Sequence, residues 1–219
     1  MLHSQPDGFL ALPPDGGGAG VLLLHPWWGL NDTMRVVCAR LAESGFVTFA
    51  PDLYHGKVAD TIAGAKTLCS GLDSDQAMAD IADAATFLSQ HATQTDRGLA
   101  VIGFSLGASY ALELSVIDPE RVRSVVLFYG TGAGDYGQSK AEYLGHFAEA
   151  DEYEPQSEVS ALEESLRKAG RPAMFYHYKD TGHWFFEPDR LEAFNPAAAD
   201  LAWERTLAFL KARLPQATN

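Results

Sequence analysis

The sequence predicts an α/β fold in which a mostly parallel central sheet is flanked by helices on both faces, with no separate lid domain. Three observations lead there. From Val21 onward, short apolar runs of strand type alternate with longer segments of helical spacing, the pattern of parallel strands joined by helical crossovers. Gly103-Phe104-Ser105-Leu106-Gly107 falls at the junction of one such run and one such segment, so a G-x-S-x-G sequence occupies a strand-to-helix turn. A chain of 219 residues, 47% of them hydrophobic, is long and apolar enough to bury a sizeable core, and it reads as one domain spanning 1–219.

The elements follow in order. After a short N-terminal hairpin-like segment, whose Gly16-Gly17-Gly18-Ala19-Gly20 run reads as a flexible connection, come a strand at 21–24 and a helix near 32–44. Met34, Val37, Cys38 and Leu41 form the apolar face of that helix, which makes Cys38 a core residue. A strand at 46–50 and a helix near 74–91 lead to the apolar run Leu99-Ala100-Val101-Ile102 and the Ala- and Leu-rich helix from Leu106 to Ile117. Next are a strand at 124–129, a strand-like run at 143–147, a helix near 157–169 and a strand at 172–178. The last helix runs from Pro196 to about Leu214, with Asn195-Pro196 as N-cap and first-turn pair and Trp203, Leu207, Leu210 and Leu214 as its apolar stripe.

The chemistry centres on Ser105. A serine in so tight a turn takes a strained backbone, and the flanking glycines avoid collision with the neighbouring strand or helix. The turn sets the hydroxyl at a helix N-terminus, where backbone N–H groups favour the oxyanion that acyl transfer generates. Two partners follow in the order serine, acid, histidine: Asp151 after the run at 143–147, and His183 after the strand at 172–178. Residues at the carboxyl ends of parallel strands converge on one crevice, so the three are expected to meet there. Ser105 would be the nucleophile, His183 the general base and acid, and Asp151 the group that fixes the imidazole. Asp135 is the rival acid, and Glu149 and Glu152 flank the favoured one. His146 and His177 lie inside strand patterns and read as core or surface residues, while His3 and His91 read as solvated. The oxyanion donors would be the backbone N–H groups of Leu106 and, in His25-Pro26-Trp27-Trp28-Gly29, of Trp27, because Pro26 has none; Trp28 is the alternative.

These residues carry a resemblance. Through His25-Pro26-Trp27-Trp28-Gly29-Leu30, Leu41-Ala42-Glu43-Ser44-Gly45-Phe46-Val47, Pro51-Asp52-Leu53-Tyr54, Ile102-Gly103-Phe104-Ser105-Leu106-Gly107, Ala150-Asp151-Glu152-Tyr153 and Gly182-His183-Trp184-Phe185, the chain resembles the dienelactone hydrolase family of α/β-hydrolases. The resemblance implies an α/β-hydrolase fold and a cofactor-independent hydrolase of small esters, lactones or thioesters. It differs from the founding enzymes in having Ser105 where they have cysteine and Pro26 where they have a glutamate. Where they hold a substrate carboxylate with arginines, this chain offers His55-Gly56-Lys57 and Phe185-Phe186-Glu187. A neutral substrate is therefore expected in a crevice bordered by Trp27, Trp28, Tyr54, Trp184 and Phe185, unless Lys57 reaches into it. The alternatives are acyl transfer on the same triad, or a non-catalytic ligand-binding protein of this fold.

Composition narrows the partners. A net charge of −13 opposes binding to nucleic acid or to an anionic membrane. No apolar run has the length of a membrane span, and Met1-Leu2-His3-Ser4-Gln5-Pro6 lacks signal-peptide character, which with the two cysteines reads as cytoplasmic. Neither Cys38 nor Cys69 has metal-ligand spacing, and no metal or cofactor is expected. Neither the Gly16–Gly20 run nor Gly130-Thr131-Gly132-Ala133-Gly134 has the lysine or following helix of a phosphate loop. The expected partner is a small molecule, and the expected assembly a monomer or homodimer.

Overall fold

A computed structural model describes residues 4–94 and 98–214, which leaves His3 outside it. In chain order the elements are β1 (Gly8–Ala11), β2 (Ala19–Leu24), α1 (Asp32–Glu43), β3 (Phe46–Pro51), α2 (Ile62–Ser70), α3 (Ser74–His91), β4 (Leu99–Phe104), α4 (Leu106–Ile117), β5 (Val122–Phe128), β6 (Glu142–Ala148), α5 (Gln156–Lys168), β7 (Ala173–Tyr178) and α6 (Pro196–Arg213). The strands form one seven-stranded sheet in the order β1-β3-β2-β4-β5-β6-β7, with every pairing parallel except that of β1. This is the α/β-hydrolase architecture. Among the described residues no helix is long and apolar enough to cross a membrane.

Side-chain alternation divides the core in two. Val21 and Leu23 of β2 and Ala100, Ile102 and Phe104 of β4 pack on one face, against Met34 and Leu41 of α1 and Trp203 and Leu210 of α6. Leu22 and Leu24, with Leu99 and Val101, pack on the other face against Ile81 and Leu88 of α3, Leu112 of α4 and Leu166 of α5. A strand covered on both sides buries every residue, which is why these strands are continuous apolar runs.

Strand order reverses beside β2. The chain leaves β2 through α1 to reach β3 on one side, then returns through α2 and α3 to place β4 on the other. Such a switch point opens a crevice at the carboxyl ends of the two neighbouring strands. Those ends carry the 25–29 loop and Ser105.

The N-terminal segment departs from expectation. β1 forms no hairpin with β2; it pairs antiparallel with β3, from Gly8 opposite Pro51 to Ala11 opposite Thr48. Both edges of β2 are taken by the parallel strands β3 and β4, so the arriving chain finds its free edge one strand further out. The glycine run is therefore a crossing, with Gly18 so close to β3 that a Cβ there would lie 2.2 Å from the Gly45 carbonyl oxygen. α2 is also additional: it is short, capped by Thr61, and buries only Ala65, so it has no apolar stripe to read. The remaining elements lie within two residues of their expected bounds. Asn31, Asp73 and Asn195 cap α1, α3 and α6 by accepting first-turn N–H bonds, and Pro196 opens α6.

Packing at the crevice floor is backbone to backbone. A Cβ at Gly107 would fall 2.2 Å from the Leu24 carbonyl oxygen, where neither group can give way. Gly107→Ala should therefore lower stability by about 1–3 kcal/mol, as overpacking does. Urea unfolding of the variant checks this, against a Gly56→Ala control at a position where a Cβ meets nothing within 4 Å but φ is +89°.

Candidate active site

Ser105 follows β4 directly and precedes α4 with φ +48° and ψ −112°, outside the region ordinary residues favour. Gly103 and Gly130 make this possible: a Cβ on Gly103 would lie 2.3 Å from the Gly107 carbonyl oxygen, and one on Gly130 would lie 2.5 Å from that of Ser105. The Ser105 N–H donates to the Phe128 carbonyl at 2.9 Å, fixing the turn to the end of β5. A serine before a helix ordinarily caps it. Here the side chain makes no cap bond, and Oγ lies 2.9 Å from His183 Nε2.

His183 Nδ1 lies 2.8 Å and 2.9 Å from the two carboxylate oxygens of Asp151. A carboxylate only accepts, so Nδ1 carries the ring proton and Nε2 turns its lone pair to Ser105. Asp151 Oδ1 also accepts the N–H groups of Tyr153 and Glu154, each at 2.9 Å. Backbone bonds hold the two loops in register. The Glu149 N–H donates to the Tyr178 carbonyl and the Ala150 N–H to that of Thr181, while Asp180 N–H donates to the Glu149 carboxylate. Glu149 is thus occupied as a loop brace, Glu152 is exposed, and Asp135 accepts from Gly137 N–H on the surface.

Aromatic rings surround the imidazole. Tyr153 and Tyr129 lie 5.2 Å and 4.9 Å from it, centroid to centroid. Trp27 stacks on Trp184 and meets Trp28 and Tyr153 edge-on, so three tryptophans and a tyrosine form one cluster. A cavity of about 620 Å³ opens beside it, with His183, Trp184, Tyr153 and the wall of Trp28 among its lining. Trp28 is almost fully buried, with the Arg190 guanidinium 4.0 Å above its ring.

Two expected crevice residues lie elsewhere. Phe185 is wholly buried in the core against Tyr178 and Tyr129, because the chain reverses at Trp184 (φ +67°) and turns the next side chain inward. Tyr54 is buried against His25 and borders a separate cavity of about 330 Å³, together with Lys57. Lys57 is not among the residues lining the cavity that His183 borders.

Several contributors escaped the sequence reading. His25 is fully buried, donating from Nδ1 to the Pro26 carbonyl at 2.7 Å and accepting Leu53 N–H at Nε2 at 3.2 Å. Burial lowers its pKa, so it stays neutral and ties the loop after β2 to the loop after β3. Glu154 sits beside Asp151 and His183, accepting from Thr131 N–H and Oγ1–H, and burial raises its pKa. Arg190, Tyr129 and Glu187 likewise come into place only through the fold. His146 is a core residue between Tyr178 Oη and Thr206 Oγ1, its pKa depressed to about 3 by burial, while His91 is half-buried against Phe87 instead of solvated. Cys38 is buried, with its thiol pushed up to about 12 by desolvation, and so is no nucleophile.

Comparison with known proteins agrees with this architecture. The family model described as the dienelactone hydrolase family matches residues 7–214. Protein usf of Aquifex pyrophilus is 30% identical over 93% of this chain and 92% of its own length. A protein of Aquifex aeolicus (strain VF5), provisionally named a carboxymethylenebutenolidase, is 28% identical over 94% of this chain and 93% of its own. Among solved structures, a dienelactone hydrolase-like promiscuous phosphotriesterase from metagenomic libraries superimposes with TM-score 0.79 at 21% identity, covering 91% of this chain and 88% of its own, a likeness of fold. With its family model spanning nearly the whole sequence and its sheet, crevice and strand-end residues arranged as described, the chain belongs to the dienelactone hydrolase family of α/β-hydrolases.

Proposed function

We propose that the protein is a serine hydrolase that cleaves a small, neutral ester, lactone or thioester through an acyl-enzyme on Ser105. The observation that carries this reading is the unbroken line from Ser105 Oγ through the His183 ring to Asp151, on a serine whose side chain is excused from helix capping. Ser105 Oγ attacks the acyl carbon as His183 Nε2 takes its proton; the imidazolium, stabilised by Asp151, then protonates the leaving alkoxide or thiolate. Water, deprotonated by the same nitrogen, attacks the acyl carbon; as the bond to Oγ breaks and the acid leaves, His183 returns that proton to Ser105 Oγ.

We assign the oxyanion to the backbone N–H groups of Leu106 and Trp27. Leu106 is the first residue of α4, so its N–H has no intrahelical acceptor. The position of Gly107 against the Leu24 and His25 carbonyls sets the 25–29 loop on the first turn of α4, beside the nucleophile. Two such donors, fixed before reaction, stabilise the developing charge without reorganisation.

A neutral substrate suits the cavity. Asp60, Glu152, Asp180, Asp189 and Glu192 are all on its wall, and the one arginine there is engaged by Asp189 at 2.8 Å and by the Asp60 carbonyl at 3.2 Å. An incoming carboxylate would meet mostly like charge. Trp184 and Tyr153 offer surface for apolar groups, and we assign substrate contact to them, with Trp28 as the wall behind.

Ser105→Ala should abolish covalent labelling by a fluorophosphonate and cut kcat at least about 10³-fold. Intact labelling would refute the assignment. Asp151→Asn should lower kcat by about 10²–10⁴-fold with the fold retained, while Asp135→Asn changes it little. For substrate charge, kcat/KM for a neutral aryl ester should exceed that for its carboxylate-bearing analogue. Lys57→Ala should leave that ratio unchanged.

A further inference from the structure

The structure contains a buried acid next to the histidine loop that no step above uses. Glu187, four residues after His183, is fully buried, and its Oε1 accepts the Tyr129 hydroxyl at 2.7 Å. Tyr129, also fully buried, lies against the His183 ring and follows the residue whose carbonyl holds Ser105 N–H. Its own N–H donates to the His146 carbonyl, and its φ of +38° is a conformation that surrounding bonds must enforce. We propose that Tyr129 and Glu187 are a positioning pair for His183, a buried latch that sets the imidazole against Ser105 and opens in alkali, when a Glu187 charge too costly for the core draws that side chain out toward water despite the Tyr129 bond.

The inference rests on the serine-hydrolase reading for its effect on turnover, though not for the latch itself. Glu187 Oε2 has no hydrogen-bond partner. A neutral carboxyl tolerates that arrangement far better than a carboxylate, which would leave a charge in the core with one hydrogen bond. The charged and titratable groups facing the pair are few. Tyr129 comes from the end of β5, Asp189 and Arg190 from the same segment as Glu187, and Asp151 and His183 from the triad side. Burial pushes the Glu187 carboxyl up to about 8; the Tyr129 hydroxyl bond opposes this, Asp189 adds to it and Arg190 opposes it. Burial and the charge of Glu187 push Tyr129 well above its usual range, so the tyrosine remains the donor.

The sign of the pH dependence follows. An exposed glutamate ionises near 4.5 and the folded one near 8, so between these values the folded chain holds the extra proton. This contribution to stability is complete below about pH 4.5 and is lost as pH rises through about 8. The imidazole should lose its setting over the upper part of the same window.

The test measures kcat and KM for a neutral aryl ester from pH 6 to 10, and melting temperature from pH 4 to 9, in the parent, Glu187→Gln and Tyr129→Phe. Glutamine keeps an acceptor for the Tyr129 hydroxyl but cannot ionise. The parent should lose kcat as pH passes 8 with KM nearly constant, and Glu187→Gln should hold its plateau to higher pH. Tyr129→Phe should lower kcat across the range while KM changes little. The fall in melting temperature between pH 5 and 8 should be smaller in Glu187→Gln than in the parent. An identical alkaline limb in parent and Glu187→Gln, or an unchanged kcat in Tyr129→Phe, would overturn the latch. If no ester is turned over by the parent, the serine-hydrolase reading fails separately. The melting profiles then decide the latch, and equal pH slopes in parent and Glu187→Gln overturn it.

Discussion

Close contact between main chains at the carboxyl ends of β2, β4 and β5 underlies everything built above it. Three backbones meet where a single methyl group would not fit, at Gly103, Gly107 and Gly130. This contact forces Ser105 into its positive-φ turn and thereby keeps its hydroxyl from capping α4. It also draws the 25–29 loop onto the first turn of that helix, so the Ser105 hydroxyl, the helix N-terminus and the neighbouring loop amides come together as one consequence of packing.

The buried polar groups show a consistent division of labour. Of the three buried histidines among the described residues, His25 lies between backbone groups and His146 between hydroxyls, and desolvation keeps both neutral. They brace loops and strands. Only His183 is bonded to a carboxylate, and that carboxylate is held in turn by two backbone N–H groups. A neutral buried ring supports structure at low electrostatic cost, whereas a carboxylate beside a ring fixes its tautomer and orientation.

Aromatic packing shapes the cavity around that centre. Trp27, Trp28, Trp184 and Tyr153 form one cluster, with the Arg190 guanidinium over the Trp28 ring and bound to Asp189. Trp28, Tyr153 and Trp184 give the wall rigid aromatic surface, and Asp60, Glu152, Asp180, Asp189 and Glu192 line the rest of it with carboxylates.

Local pattern by itself determined much of this protein. Apolar period and capping residues encode β2 to β7 and five of the six described helices, and the meeting of Ser105, Asp151 and His183 was legible because each follows a strand pattern at its carboxyl end. These signals are short-range, so one sequence carries them. The tertiary structure decided the rest. Which edge β1 pairs with depends on which edges of β2 are already taken, and α2 has no stripe because it packs mainly through Ala65. Whether Phe185 and Tyr54 face the crevice depends on the backbone reversal at Trp184 and on the packing of the loop after β3. The bond between Tyr129 and Glu187 spans 58 residues, and no spacing rule links positions whose proximity arises only when β5 and the histidine loop are brought together by the sheet.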